Sequence, residues 1–298
     1  MTPSSMTQGA RAPLSVVIPT RNEERNLPAC LASVAWADDI VVFDSMSDDR
    51  TVEIAGAAGA RVVQRVFDGF AAHKNWALDN IDFRHRWVLI LDADERVTEA
   101  LAAEIRAAIG GEGGPAGYYV ARRTMFGGVW MRHGGVYPDY NLRLLQHGRG
   151  RYEDRLVHEH VILDGPAGYL EAPLLHEDDK GLERYVDRHN RYSTLEAVEV
   201  LRAEAAKGRA AQRLNGSLRA RGPQRRRALK SFAARWLPLR PLWVFAYMYV
   251  VKGGFLDGRM GLRYAALRMG YEYLTDLKVM ELRRPGSPLR AQYRDYLD

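Results

Sequence analysis

From its N terminus the chain alternates short apolar runs with segments in which apolar residues return every three or four positions. The run at 14–18, LSVVI, has the length and β-branched content of a buried strand, ended by Pro19. Asn22 stands where it could cap a helix to about residue 35, with Leu27, Leu31 and Val34 on its apolar face. Residues 39–43 predict a second strand, followed by a polar loop from Asp44 to Asp49. A helix through 51–55, a strand over 61–64 and a helix over 70–80 come next. The run 87–91, WVLIL, predicts a fourth strand that leads straight into Asp92, and Thr98 is placed to cap the helix after it. Strands alternating with helices imply an α/β fold on a mostly parallel, doubly wound sheet.

From about Gly117 the pattern changes to short strand-like runs rich in Gly and Tyr, such as YYVAR at 118–122. Beyond Lys180 it becomes helical, with one long segment from 182 to about 207. The expected organisation is a disordered tail over 1–13, an α/β domain over 14–178 and a helical C-terminal region over 179–298. A basic stretch, Arg225 to Arg227 with Lys230, precedes an aromatic-rich run at 236–251. Even as one continuous helix that run would reach only roughly 24 Å at about 1.5 Å per residue, short of the ~30 Å hydrocarbon core of a bilayer. It fits two arrangements: an interfacial helix on an anionic membrane, or a buried helix packed on the sheet or on a second copy of the chain.

Composition narrows the class. Of 298 residues 47% are hydrophobic and 27% charged, which is ordinary for a folded globular chain. The net charge is +6, and only six of the 43 cationic side chains are lysine. Arginine pairs bidentately with phosphates and carboxylates, so this excess fits an anionic partner, though a codon preference for Arg would produce it too. A single cysteine, Cys30, excludes an internal disulfide framework and a multi-thiolate zinc site. The first thirteen residues lack the apolar stretch of a signal peptide, and a cytoplasmic protein is expected.

In an open parallel sheet ligands bind beyond the carboxyl ends of the strands. Acidic residues stand at three such ends: Glu23 and Glu24 after the first strand, Asp44 after the second, and Asp92, Asp94 and Glu95 after the fourth. Carboxylates converging at neighbouring ends call for a cation or a hydroxyl-rich ligand. Asp92 and Asp94 are two apart, so an extended backbone would turn both to one side and suit Mg²⁺ or Mn²⁺ bridging to substrate phosphates. Asp94 and Glu95 could equally be acids that precede a helix.

Three segments together carry a resemblance: SVVIPTRNEE at 15–24, IVVFDSMSDDRT at 40–51 and LILDAD at 89–94. In order and spacing they resemble the signature segments of inverting family 2 glycosyltransferases, which have the nucleotide-sugar-binding, Rossmann-like GT-A fold. HGGVYPDYNLRL at 133–144, RLVHE at 155–159 and FLDG at 255–258 are similar to the lipopolysaccharide core branch, which adds glucose to a core heptose. Met46 departs from the pattern, where the family more often has Gly.

The resemblance implies a nucleoside-diphosphate sugar donor, with UDP-glucose expected, a divalent Mg²⁺ or Mn²⁺ ion, and a glycan or glycolipid acceptor. Pro19, Arg21, Glu23, Asp44, Lys74, Asp92 and Ala93 would then line the donor site, with Glu23 and Asp44 against the base and ribose. Asp94 would ligate the metal and His158 would be a further ligand or diphosphate contact. Asp139 is the first candidate for the base that deprotonates the acceptor hydroxyl, and Glu159 the second. Arg132, Arg143 and Lys74 are candidate phosphate contacts, while His133 and His176 are read as structural. An enzyme at the inner face of the cytoplasmic membrane is expected, with an oligomer compatible with the sequence. Two rivals are a sugar nucleotidyltransferase, disfavoured by the acidic, glycine-free turn at 19–24, and a non-catalytic protein binding membranes or anionic polymers. No nucleic-acid-binding motif accompanies the arginines.

Overall fold

The computed structural model describes residues 11–111, 113–157, 159–209 and 239–297. His158, the basic stretch at 225–230 and the start of the aromatic run at 236–238 lie outside the described residues. The chain divides into two units, one of residues 1–130 and 137–180, the other of residues 131–136 and 181–298.

The first unit is built on period-two alternation. Strand β1 (Ala12–Thr20) pairs in parallel with β2 (Ala37–Asp44) and, on its other side, with β4 (Trp87–Ile90); β3 (Arg61–Gln64) extends the sheet beyond β2. Leu14, Val16 and Ile18 of β1 join Trp87 and Leu89 of β4 in one apolar cluster, while Val17 joins Val88 and Ile90 in a second. Side chains that alternate across a central strand thus feed a core on each face. The first core is closed by α1 (Leu27–Ser33), by Ala55 of α2 (Thr51–Ala57) and by α4 (Glu99–Gly110); the second is closed by α3 (Phe70–Asn80). The bounds of β3 and α3 are those the sequence predicts, and Thr98 caps α4 by accepting from Leu101 N at 3.2 Å.

The rest of this unit is less regular. Beyond β4 the sheet order continues through β8 (Asp139–Gln146), β6 (Gly117–Phe126), β11 (Ala167–His176) and β5 (Glu95–Val97), with β7 (Val129–Trp130) paired to β6. β8 runs antiparallel to both β4 and β6, so the sheet is mixed beyond its parallel half. A separate ribbon joins β9 (Gly150–Tyr152) and β10 (Val161–Leu163).

Two local expectations are corrected. Strand β1 begins at Ala12 and continues through Pro19 to Thr20, because its pairing with β2 runs from Ala12↔Ala37 to Thr20↔Asp44. Asn22 does not cap α1. It sits at φ +55°, a conformation asparagine tolerates, with its backbone N donating to Ser47 Oγ at 2.9 Å and its side-chain oxygen accepting from Asp48 N at 3.0 Å. Asn22 therefore ties the loop after β1 to the loop after β2, and Asn26 takes the cap position.

The second unit is helical. Helix α5 (Gly181–Arg209) packs against α7 (Gly258–Arg283) through the buried residues Ala197, Val198, Ala265 and Val279. Tyr271 donates to Glu196 at 2.7 Å, and Lys278 reaches Asn190 Oδ1 at 2.7 Å and Ser193 Oγ at 2.8 Å. Before α7 come α6 (Arg240–Ala246), a π-helical turn (Tyr247–Val251) and a 3₁₀ turn (Gly254–Asp257); α8 (Pro288–Gln292) and α9 (Arg294–Leu297) follow it. Arg240 pairs with Glu272 and, at 3.0 Å, with Asp276. None of the residues 240–251 is buried, which for this stretch removes the expectation of a helix packed into the protein's own core.

The FLDG segment has a structural part here. The buried Asp257 carboxylate accepts from His133 N at 2.9 Å and contacts its ring Nδ1 at 2.6 Å, and Gly258 supplies the positive φ of +63° at which α7 begins. No helix among the described residues is long and apolar enough to cross a membrane.

Candidate active site

The carboxyl ends of β2, β1 and β4 are neighbours, and the acidic residues picked out in the sequence gather there. At the end of β2, Asp44 is fully buried. Its two oxygens accept from Thr20 Oγ1 at 3.2 Å, Ser47 N at 2.9 Å, Ser47 Oγ at 2.5 Å and Gln64 Nε2 at 3.0 Å. Asp44, expected against the donor nucleotide, thus holds the loop that follows its own strand. Within that loop Met46 adopts φ +58° with its side chain 53% exposed. The backbone there is left-handed, which accounts for a glycine preference at the position.

Beneath the loop lies His73 of α3, stacked on Phe43 at 4.1 Å, with Nε2 2.9 Å from Ser45 Oγ. Burial, helped by the Arg65 guanidinium, pushes the His73 pKa down to about 4, so the ring is neutral near pH 7.

At the end of β1, Glu23 pairs with Lys180 at 2.5 Å and accepts from Asn26 Nδ2 at 2.9 Å. Burial raises its carboxyl above the usual range against the pull of Lys180, and the charge of Asp94 adds to the rise. Asn26 also donates to Asp178 at 3.1 Å and accepts from Asp179 N at 2.9 Å, so the segment after β11 is fastened to the loop after β1. Pro19 is half-buried in β1, and Arg21 is exposed.

The end of β4 is a turn rather than extended chain, closed by Glu95 N donating to Asp92 O at 2.9 Å. Asp92 and Asp94 are therefore set by a turn and not by the extended backbone that Asp-x-Asp would suggest. Asp92 meets Arg143 of β8 at 2.6 Å, and the same guanidinium nitrogen lies 2.6 Å from Glu95. Glu95 is wholly buried and accepts from Asp92 N at 3.1 Å. Burial opposes ionisation of Asp92, but Arg143 and Lys74 outweigh it and hold its carboxyl well below the usual range. At Glu95 burial prevails and raises the carboxyl despite Arg143.

Arg143, an expected phosphate contact, is thus the buried counter-ion of the turn. Ala93 is buried within the turn. Asp94 lies 3.3 Å from His176 Nε2 at the end of β11. His176, read from sequence as structural, reaches the acidic turn because β11 runs antiparallel to β5 and sets His176 opposite Glu95.

A second group of polar residues surrounds Lys74 of α3. Its ammonium pairs with Glu159 at 2.8 Å and lies over the ring of Tyr152 at 5.0 Å. Burial disfavours the charged form, yet Tyr152, Asp92 and Glu159 outweigh it and hold Lys74 above the usual lysine range. Of the two candidate bases, Glu159 is nearly buried, with a side-chain exposure of 7%, and is held by Lys74. Asp139, at 37%, is the more accessible and pairs with Arg122 at 3.0 Å across the β6–β8 register. Among the described residues no group of three or more His, Cys, Asp or Glu side chains forms a ready-made metal cage. Asp94 and the Nε2 of His176 supply two donors on one side. That fits a Mg²⁺ or Mn²⁺ ion that completes its shell with water and phosphate oxygens.

A parallel half-sheet that ends in an acidic turn, extended by mixed strands and followed by helices, is the architecture of the GT-A glycosyltransferases. Residues 15–158 match the profile of Glycosyl transferase family 2. The chain is 32% identical over 194 residues to "Lipopolysaccharide core biosynthesis glycosyltransferase LpsC" of Rhizobium meliloti (strain 1021), covering 63% of this chain and 71% of that one. It is 37% identical over 93 residues to an uncharacterized glycosyltransferase of Rickettsia bellii (strain RML369-C), about a third of each protein at 31%. The fold of a mannosyltransferase from Pyrobaculum calidifontis, solved with GDP-Man and Mn2+, superposes with a TM-score of 0.51 over 93% of this chain and 89% of that one, at 14% identity. The chain belongs to glycosyltransferase family 2 and is an enzyme that transfers a sugar from a nucleotide-sugar donor.

Proposed function

We propose that the enzyme moves a hexose, glucose from UDP-glucose, onto a lipopolysaccharide-core or other lipid-linked glycan at the inner face of the cytoplasmic membrane, with inversion at the anomeric carbon. The glycan class rests on the likeness to the core-biosynthesis relative and on the segments at 133–144 and 155–159. The observation that carries the donor side is the acidic turn at the end of β4, where Asp92 is held ionised beside Arg143 while Asp94 lies against His176.

In this reading Asp94 and His176 hold Mg²⁺ or Mn²⁺. The metal supplies Lewis-acid neutralisation of the diphosphate leaving group. Lys74 adds a fixed positive charge near Asp92, which suits the same diphosphate. Asp139 accepts the proton of the acceptor hydroxyl as that oxygen bonds to the anomeric carbon and the carbon–oxygen bond to the diphosphate breaks. Glu23 and the loop held by Asp44 form the wall on the nucleotide side.

The test is turnover of UDP-glucose with Mn²⁺, Mg²⁺ or chelator, using a truncated lipopolysaccharide-core acceptor, with the product linkage read by NMR. UDP release that depends on the metal and a β-linked glucoside from the α-linked donor are expected. A retained anomeric configuration, or full turnover in chelator, would overturn the mechanism. Turnover restricted to another sugar nucleotide would overturn the donor.

A further inference from the structure

The second unit carries a surface that donor chemistry does not use. Along α6 and the π-helical turn, Leu239, Leu242, Trp243, Tyr247, Val250 and Val251 recur at helical spacing, and each has more than half of its surface in water. Val251 is 70% exposed, although large apolar side chains are ordinarily the first to be buried. The 3₁₀ turn continues the feature with Phe255 and Leu256, both exposed. An apolar patch of this size facing water is a binding surface or an aggregation liability.

Charge selects the partner. Lys252 lies over the Tyr247 ring at 5.5 Å, and Arg259 and Arg263 follow it on the exposed side of α7. Between residues 239 and 263 the one acidic side chain, Asp257, is buried against His133. The bias extends along the chain: residues 205–256 contain twelve Lys and Arg and no Asp or Glu. The whole chain is only +6, so all of its positive excess falls in this stretch and the remainder is net acidic.

We infer that the face formed by Leu239, Trp243, Tyr247, Val250, Val251 and Lys252 docks on an anionic lipid surface. Its aliphatic and aromatic side chains enter the headgroup–acyl boundary while the cations meet the headgroups. Interfacial segments combine these features: apolar area for partitioning, Trp and Tyr for the boundary, and basic residues for anionic lipid. Nucleic acid offers the cations phosphates but gives Val250 and Val251 no apolar medium. A second copy would bring two strongly basic stretches together. The inference rests on the proposed lipid-linked acceptor only for why docking is useful, and the binding itself needs neither donor nor acceptor.

The experiment is flotation of the full chain with vesicles of phosphatidylcholine alone or phosphatidylcholine with phosphatidylglycerol, at low and high salt. The wild type should float with the phosphatidylglycerol vesicles, weakly with phosphatidylcholine, and less at high salt. The triple variant Trp243→Ser, Val250→Ser, Val251→Ser removes only exposed side chains, so its melting temperature should hold while its vesicle partitioning falls by about tenfold or more. Lys252→Glu with Arg259→Glu should abolish the preference for anionic vesicles.

Absence of flotation, or a triple variant that floats like the wild type, overturns the inference. So does release of vesicle-bound protein by RNA that binds the same variants in the same order, or a dimer in solution that the triple variant dissolves. A protein that floats as expected but shows no turnover would leave the docking surface standing and refute the proposed reaction.

Discussion

At the end of β2 the Asp44 carboxylate accepts from hydroxyl, amide and backbone donors, none of them charged, and is sealed from water. On the other side of β1, at the end of β4, Asp92 faces a guanidinium that it shares with the buried Glu95, and its own side chain remains about one-third exposed at 34%. Both aspartates follow apolar strands of one parallel sheet. Neutral donors around a buried carboxylate fix a loop in one conformation. A cation shared between two carboxylates instead keeps one of them ionised at the surface, while the neighbouring Asp94 lies against His176. Acid at a strand end is therefore a single sequence signal with two physical outcomes, a carboxylate locked into a loop and one held ionised at the surface, and the partner side chains decide which.

The contrast can be broken most forcefully at Arg143. Arg143→Met leaves Glu95 and Asp92 without their counter-ion and should destabilise the fold by about 3–5 kcal/mol in urea denaturation. Adding Glu95→Gln should restore part of that, and a single variant as stable as the wild type would refute the counter-ion role. Next in size is Asp94→Asn. Its turnover should fall on the order of 10²–10³-fold with little change in melting temperature, and unchanged turnover would remove Asp94 from the metal site. Asp44→Asn should do the reverse, losing about 1–3 kcal/mol of stability with a smaller effect on turnover per folded molecule. If it abolishes turnover in a fully stable protein, the two strand ends are not distinct.

His73 supplies a pH test of the scaffold side. Its folded pKa of about 4 lies below the ordinary 6.5, so the unfolded chain binds the proton more readily. Its contribution to stability is complete above pH 6.5 and is lost as pH falls toward about 4, a slope that His73→Phe should flatten in urea titrations across that window. Smallest is Met46→Gly, which relieves the left-handed backbone at φ +58° and should raise stability by about 0.5–1 kcal/mol. A loss of stability there would mean that the Met46 side chain packs in a way its exposure does not suggest.

The parallel half of the sheet was legible because its strands are short apolar runs and a helix such as α4 keeps a helical period, with Leu101, Ala102 and Ile105 on its buried face. The mixed half was not. β8 reads DYNLRLLQ, and Arg143 interrupts the buried leucines at 142, 144 and 145, since a charge in a central strand has no period that identifies it as a counter-ion. β5 has three residues, too few to show alternation, so Glu95 resembled an acid preceding a helix. His176 and Lys180 reach the site through the antiparallel pairing of β11 with β5 and the fastening of the segment after β11 by Asn26, and both depend on long-range register. Asp94, Glu23 and Lys74 could be selected from the chain. The pairings of Asp94 with His176, Glu23 with Lys180 and Lys74 with Glu159 could not, because each joins residues distant in sequence.

One feature of the helical unit bears on how its exposed face behaves under load. A Cβ at Gly261 would lie 1.9 Å from the carbonyl oxygen of Gly254, and one at Gly254 would lie 2.8 Å from that of Met248. The π-helical turn, the 3₁₀ turn and α7 thus touch main chain to main chain, with no side chain between them to yield. Such a joint has little compliance. A pull on Val250 or Val251 reaches α7 almost undamped, so the apolar face behaves as a fixed foot of the helical unit, and a larger residue at either glycine would loosen that foot without altering a single side chain of its sole.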